Sequence, residues 1–302
     1  LISVPACGKK PVRYRADFLE LFDTQTTIVA YTDSREEFDR LTHLIYDGLK
    51  EYHQLYDIYN DYPGINNLKT INDSAGVAPV KADPRIIDLL LFGKEGYRLS
   101  GGKLNIALGS VLKIWHRCRT DGIDDPQNAR LPAREELETA AAHADIDDVI
   151  IDKAASTVFL KDPDLRLDVG AVAKGYAVEQ VCRLAAEKGC ASALISVGGN
   201  IRAIGSKDGS QPWNVGVQNP DRSSEDSVLK TVSLSNASLV TSGNYERYYT
   251  VAGKRYHHII DPATLFPSEY FASVSVVCKD SGMADALSTT LFNLPLEQGR
   301  KL

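Results

Sequence analysis

Residues 34–59, SREEFDRLTHLIYDGLKEYHQLYDIY, restrict the possible folds more than any other stretch of the chain. Ser34 and Glu37 stand at capping-box spacing, and Phe38, Leu41, Leu44, Ile45, Leu49, Tyr52, Leu55 and Tyr56 recur with the helical period. The pattern predicts a long amphipathic helix whose one apolar stripe has to be covered by a sheet or by other helices. β-rich residues precede it in LFDTQTTIVAY (21–31), and NDYPGINNLKTINDSAG (60–76) follows it as a polar, turn-forming loop.

A second helix is expected in DPRIIDLLLFGKEGYRLSGG (83–102), with Asp83 as N-cap, Pro84 in the first turn and two glycines past the end. AREELETAAAH (133–143) reads as a surface helix and VIIDKAASTVFL (149–160) as a hairpin. In residues 165–189 a strand ends at Asp168, a glycine turn follows, and a helix runs to Gly189. ASALISVGGNIRAIG (191–205) predicts two strands broken at Gly198 and Gly199, short strands fill 213–277, and SGMADALSTTLFN (281–293) returns to helix. Helices and strands do not alternate strictly, so the expected class is α+β with a mixed sheet-and-helix architecture, not a doubly wound Rossmann sheet.

A formal net charge of −6 gives no field that would attract phosphates along a groove, which argues against a nucleic-acid partner. Cys7, Cys118, Cys182, Cys190 and Cys278 form no CxxC pair and no zinc spacing. LISVPACGKK, aliphatic residues and an Ala6-Cys7 junction followed by Gly-Lys-Lys, resembles a bacterial lipoprotein box. Residues 1–16 are therefore expected to be a signal remnant and tether, with lipidated Cys7 anchoring the chain to a membrane on its extracytoplasmic face. Residues 17–302 would be the functional domain.

Four stretches carry candidate chemistry. Asp285 and Thr289 stand at i and i+4 of the last helix, a pair of hard oxygen ligands suited to Mg2+, or else a helix cap and a buried hydroxyl. LDVGAVAKGYA (167–177) brings Asp168 to a strand end and free N–H groups to a helix start, with Lys174 either reaching a phosphate or simply solvated. GGKLNIALGSVLKIW (101–115) interrupts an apolar, strand-like run with Asn105, whose amide satisfies nearby backbone or reads a heterocycle. In RYHHIIDPATLFP (255–267), alternation along a strand prevents His257 and His258 from both facing the core, so one imidazole is expected at a cleft beside the Asp261-Pro262 turn.

LDVGAVAKGYA, SVGGNI, HHIIDPATLFP and ADALSTTLF, in this order, resemble the ApbE family of FAD:protein FMN transferases; FDTQTTIVAY and LNIALGSVLKIW are similar to that family's early motifs. The resemblance implies an ApbE-like, T-fold-like domain. It also implies a Mg2+-dependent transferase that takes FAD as substrate and moves FMN onto a Thr or Ser hydroxyl of an acceptor flavoprotein, releasing AMP. The acceptor would present an Asp-x-x-(Ser/Thr)-Gly-Ala-(Ser/Thr)-like segment of an FMN-binding domain. Carried over by motif, Asp285, Thr289 and the Ala171 carbonyl would hold the metal. Phe22, Tyr59, Leu104, Asn105, Asp168, Lys174, His257 and Ile259 would belong to the FAD site, His257 as a supporting neighbour and His258 as the base.

The chain departs from the family pattern at Leu265, where relatives often have Gly, at Asn105 in place of Asp, and at Ser288, which leaves the metal site one carboxylate short. The same scaffold would also allow hydrolysis of FAD to FMN and AMP, or flavin binding without catalysis. The metal pair and His258 favour catalysis, because binding alone needs neither.

Overall fold

In the computed structural model, which describes residues 10–302, the long helix forms as its pattern requires. Helix α1 (Arg35–Tyr56) starts where the Ser34 hydroxyl accepts the Glu37 N–H, and buries Phe38, Leu41, Ile45, Leu49, Leu55 and Tyr56. Around it the chain runs β1 (Val12–Phe18), β2 (Thr26–Thr32), α1, α2 (Leu68–Asp73), β3 (Val80–Lys81), α3 (Pro84–Leu99), α4 (Gly109–Asp124) and α5 (Arg134–Ala141). The middle of the chain gives β4 (Val149–Asp152), β5 (Thr157–Leu160), α6 (Ala173–Glu187), β6 (Ala193–Val197), β7 (Asn200–Ile204), β8 (Trp213–Gln218) and β9 (Val228–Leu234). The last part holds β10 (Ser238–Gly243), β11 (Tyr248–Val251), β12 (Lys254–His257), β13 (Ser273–Cys278), α7 (Ser281–Phe292) and α8 (Leu296–Gly299).

The central sheet has six strands in the order β1-β2-β6-β7-β10-β13, every neighbouring pair antiparallel. This excludes a parallel Rossmann sheet and agrees with the α+β expectation. One face is covered by α1, α6 and α7, so that Ile28 and Ala30 of β2 and Ile195 of β6 share a core with Phe38, Ile45, Val178 and Val181. On the other face the β8–β9 hairpin packs Trp213, Val215 and Leu234 against Val29, Ala203 and Leu239. A separate cluster of Val111, Trp115, Leu137, Tyr249, Ile260 and Leu265 joins α4 and α5 to the β11–β12 hairpin.

Several expectations change. β1 begins at Val12 and pairs with β2 from Val12 to Phe18, so residues 12–16 belong to the sheet and not to a tether; Cys7 lies outside the described residues. The 60–76 segment contains α2, whose start is made by reciprocal bonds between Asn67 and Thr70. The strand expected at 165–168 is a single parallel bridge, Arg166 to Leu108, because the backbone of Leu167 bonds the Asn72 side chain at 2.7 and 3.0 Å in place of a neighbouring strand. The strand-like run 104–115 turns into α4 at Gly109, where an added Cβ would meet the Arg166 carbonyl oxygen at 2.4 Å.

α6 and α7 cross at Gly175. A Cβ there would stand 2.5 Å from the Asp285 Cβ and 2.5 Å from the Ser281 carbonyl oxygen. The crossing is secured by Glu179, buried at 3% exposure, which accepts from Arg202 of β7 (2.9 Å), from Arg183 (3.0 Å) and from the Ser281 N–H (2.8 Å). These bonds hold the Glu179 carboxyl below its ordinary pKa despite burial. Gly175→Ala should therefore destabilise the fold by about 1–3 kcal/mol, as overpacked cores do, read as a lower urea midpoint at unchanged slope.

Candidate active site

The turn that leads into α6 supplies the first part of the site. Asp168 accepts the Gly170 N–H at 2.8 Å, while its own N–H bonds the Ile106 carbonyl at 2.9 Å. Four residues after Ala171, the Gly175 N–H donates to Asp285 Oδ2 at 2.7 Å instead of closing a helical bond to the Ala171 carbonyl. That carbonyl has no backbone partner among the described residues. Asp285, one turn inside α7, is 6% exposed, and the Gly175 N–H is the one bond its carboxylate makes among the described residues. Burial pushes its pKa up, opposed by the Lys174 ammonium and the Gly175 N–H.

Asp285 is thus not the helix cap, a place taken by Asp280, whose side chain accepts the Met283 N–H at 2.8 Å. A buried carboxylate with one oxygen free, a carbonyl released from its helix and the Thr289 hydroxyl one turn along α7 are hard oxygen donors that fit Mg2+. Ser288, where a further carboxylate was the alternative, is fully buried and bonds the Ser242 hydroxyl at 2.8 Å.

β12 ends at His257, and the two imidazoles part as alternation requires. His257 is buried: its Nδ1 accepts the Ile259 N–H at 3.2 Å and its Nε2 donates to the Ser268 carbonyl at 2.8 Å, so both ring nitrogens hold the turn. His258 is half-buried, and its Nδ1 lies 3.2 Å from the Arg247 carbonyl. A carbonyl only accepts, so Nδ1 carries the proton and Nε2 keeps a free lone pair. Burial and the nearby Arg247 guanidinium push the His258 pKa down to about 3, which keeps the ring neutral.

The Asp261-Pro262 turn beyond it is clamped by an ion pair from Lys103 to Asp261 (2.7 Å), and Trp115 Nε1–H donates to the Leu265 carbonyl at 2.9 Å. Leu265 takes φ +63°, the left-handed conformation that the family's usual glycine adopts freely, and its buried side chain offsets the strain.

Sequence reasoning missed three residues here. His116 and Arg119 project from α4, with an Arg119 guanidinium nitrogen 2.9 Å from His116 Nδ1, and Arg247 follows β10. Arg119 and Arg247 bear electrostatically on Asp168, on the Tyr59 hydroxyl and on His258. The Tyr59 ring is 57% exposed and lies 5.4 Å from the His116 ring. The only available signal was helical: His116 and Arg119 are i and i+3 in α4, beyond the stretch that carried the motif.

The other expected pocket residues divide. Phe22 lies in a turn at φ +54°, its ring edge-on to His53 at 5.5 Å, and Lys174 is half-buried at the start of α6. Leu104 and Ile259 are buried at 1% and 6% exposure, which leaves their side chains to the core. Asn105 bonds the Ala144 carbonyl and the Ala107 N–H, both at 2.9 Å, so its amide satisfies backbone. A cavity of about 700 Å³ between α4 and α5 lies apart from this group; His143 beside it pairs with Asp162 at 2.7 Å.

The ApbE family model matches residues 22–302. The chain belongs to the ApbE family. A Klebsiella pneumoniae FAD:protein FMN transferase is 32% identical over 251 residues, 82% of this chain and 75% of that protein. A Treponema pallidum FAD:protein FMN transferase is 37% identical over 245 residues, 76% of this chain and 66% of the relative. The crystal structure of the ApbE protein from Thermotoga maritima superposes with a TM-score of 0.83 at 29% identity, covering 96% of this chain and 89% of that one. The Pseudomonas stutzeri flavinyl transferase ApbE shares the fold with a TM-score of 0.77 at 24% identity, covering 96% of this chain and 87% of its own.

The position of His258 in this ApbE-family chain has a measurable consequence. With a native pKa of about 3 and an unfolded value near 6.5, the unfolded chain binds the extra proton first, so stability falls as pH drops below about 6.5. Arg247→Ala removes a positive neighbour but not the carbonyl, and should raise the His258 pKa, followed by its imidazole NMR shifts.

Proposed function

We propose that this chain transfers FMN from FAD to a Thr or Ser hydroxyl of an acceptor flavoprotein and releases AMP. The observation that carries the reading is the grouping of two guanidinium side chains, Arg119 and Arg247, around a neutral imidazole whose Nε2 is free. A pyrophosphate bridge needs cations, and a hydroxyl nucleophile needs a base that is unprotonated when it arrives.

Arg119 and Arg247 would bind the pyrophosphate oxygens of FAD, with Tyr59 and Phe22 against its ring systems and Lys174 toward its phosphates. Anionic substrate would offset the guanidinium charges, the smaller of the two effects that depress His258 beside its burial. The acceptor oxygen attacks the FMN-side phosphorus, its proton passes to His258 Nε2, and the bond to the AMP phosphate breaks with its electron pair leaving on AMP. Asp285, Thr289 and the Ala171 carbonyl would hold Mg2+, which supplies neutralisation of the phosphate charge. Lipidation at Cys7, with the domain on the extracytoplasmic side of a membrane, remains part of this proposal on the sequence pattern alone.

The test is intact-mass spectrometry of an FMN-binding-domain acceptor after incubation with the protein, FAD and Mg2+. A gain equal to FMN less water, lost with EDTA, is the expected result; free FMN and AMP with an unmodified acceptor would make the chain a hydrolase. Asp285→Ala should abolish Mg2+-dependent turnover. His258→Ala should slow transfer by about 10²–10⁴-fold while FAD binding persists, measured by single-turnover flavinylation.

A further inference from the structure

Past the end of α1 the chain makes a tight turn around Asp57, a side chain with 9% exposure. Its Oδ1 accepts the Tyr59 N–H at 2.6 Å and the Asn60 N–H at 3.1 Å, and its Oδ2 accepts Asn60 Nδ2–H at 2.9 Å and the Tyr62 hydroxyl at 2.8 Å. Four donors on one carboxylate hold its pKa below the ordinary value in spite of burial. The network continues to a second loop. His53 Nδ1 accepts the Phe22 N–H at 3.2 Å, which leaves the proton on Nε2, 3.4 Å from the Tyr62 hydroxyl.

The Phe22 and Tyr59 backbones are therefore tied to one chain of bonds: Phe22 N–H to His53, His53 to Tyr62, Tyr62 to Asp57, and Tyr59 N–H to Asp57. The two loops also pack through their rings, the His53 ring lying 5.5 Å from that of Phe22 and 6.4 Å from that of Tyr62. Neither loop has regular structure to hold it. Phe22 and Asp23 both sit at positive φ, and Tyr59 is the most exposed aromatic side chain among the described residues.

We propose that Asp57, Tyr62 and His53 are positioning residues that set Phe22 and Tyr59 as two aromatic contacts for the isoalloxazine ring of FAD. This rests on the reading that Phe22 and Tyr59 belong to the flavin site. A planar aromatic ligand gains from walls already in place, since ordering two loops at the moment of binding would subtract from its affinity. Asp57 touches no ligand in this account; it acts through Tyr59, and through Tyr62 and His53 it acts on Phe22.

FAD affinity, read by quenching of flavin fluorescence without metal, tests this in the full chain. Tyr62→Phe removes the bond between the two loops with minimal change in volume. It should weaken FAD binding by about three- to tenfold and reduce the change in the visible flavin spectrum on binding, with the melting temperature nearly unchanged. Tyr59→Ala should weaken binding further, and Tyr59→Ala with Tyr62→Phe should lose less than the two single effects combined, because the second acts partly through the first. Asp57→Asn, which keeps one acceptor for the backbone but turns a donor toward Tyr62, should resemble Tyr62→Phe. Full FAD affinity in Tyr62→Phe and Asp57→Asn, with Tyr59→Ala impaired, would overturn the positioning role. Full affinity in Tyr59→Ala would instead overturn the flavin-site reading on which it rests.

Discussion

The rest of the site depends on the crossing of α6 and α7 at Gly175. Two helices whose contact residues lie 110 positions apart approach until a hydrogen atom is all that fits between them, and the Gly175 N–H is then aimed at the Asp285 carboxylate. Burying a carboxylate this way is tolerable only with a partner, and a single N–H leaves it underused. The same contact diverts the first bond of α6 and strips the Ala171 carbonyl. One steric fact thus sets both the Asp285 carboxylate and the Ala171 carbonyl, while Glu179 ties both helices to β7.

Charge is arranged around that centre by opposition. Buried Asp285 and half-buried Asp168 are acids pushed toward their neutral forms by desolvation, while Arg119 and Arg247 bring positive charge near Asp168. The His258 imidazole is neutral because of burial first and of those guanidinium groups second.

Much of this was legible from residue types. The Ser34 cap, the Asp83-Pro84 start, the Gly198-Gly199 hairpin and the alternation that separates His257 from His258 all depend on neighbours close in sequence, and all appear in the structure. What failed depends on distant partners. Residues 165–168 read as a strand, yet the backbone bonds of Leu167 go to Asn72, ninety-five positions earlier. Residues 104–115 looked extended until Gly109 packed on Arg166. Helix α2 was readable, since Asn67 and Thr70 make a capping box, but the surrounding Pro, Gly and Asn residues obscured it. Arg119 and Arg247 carried no local pattern that marks them as partners; only the fold brings them together.

The turn at Leu265 has a consequence for how the molecule comes apart. Its carbonyl is held by Trp115, and the one other tryptophan, Trp213, lies across the central sheet under the β8–β9 hairpin. The two indoles therefore sit in different apolar clusters, one hydrogen-bonded and beside the histidine turn, the other remote from it. Intrinsic fluorescence of this chain is a two-station record, in which loosening of the histidine turn and peeling of the outer hairpin carry separate emission signatures.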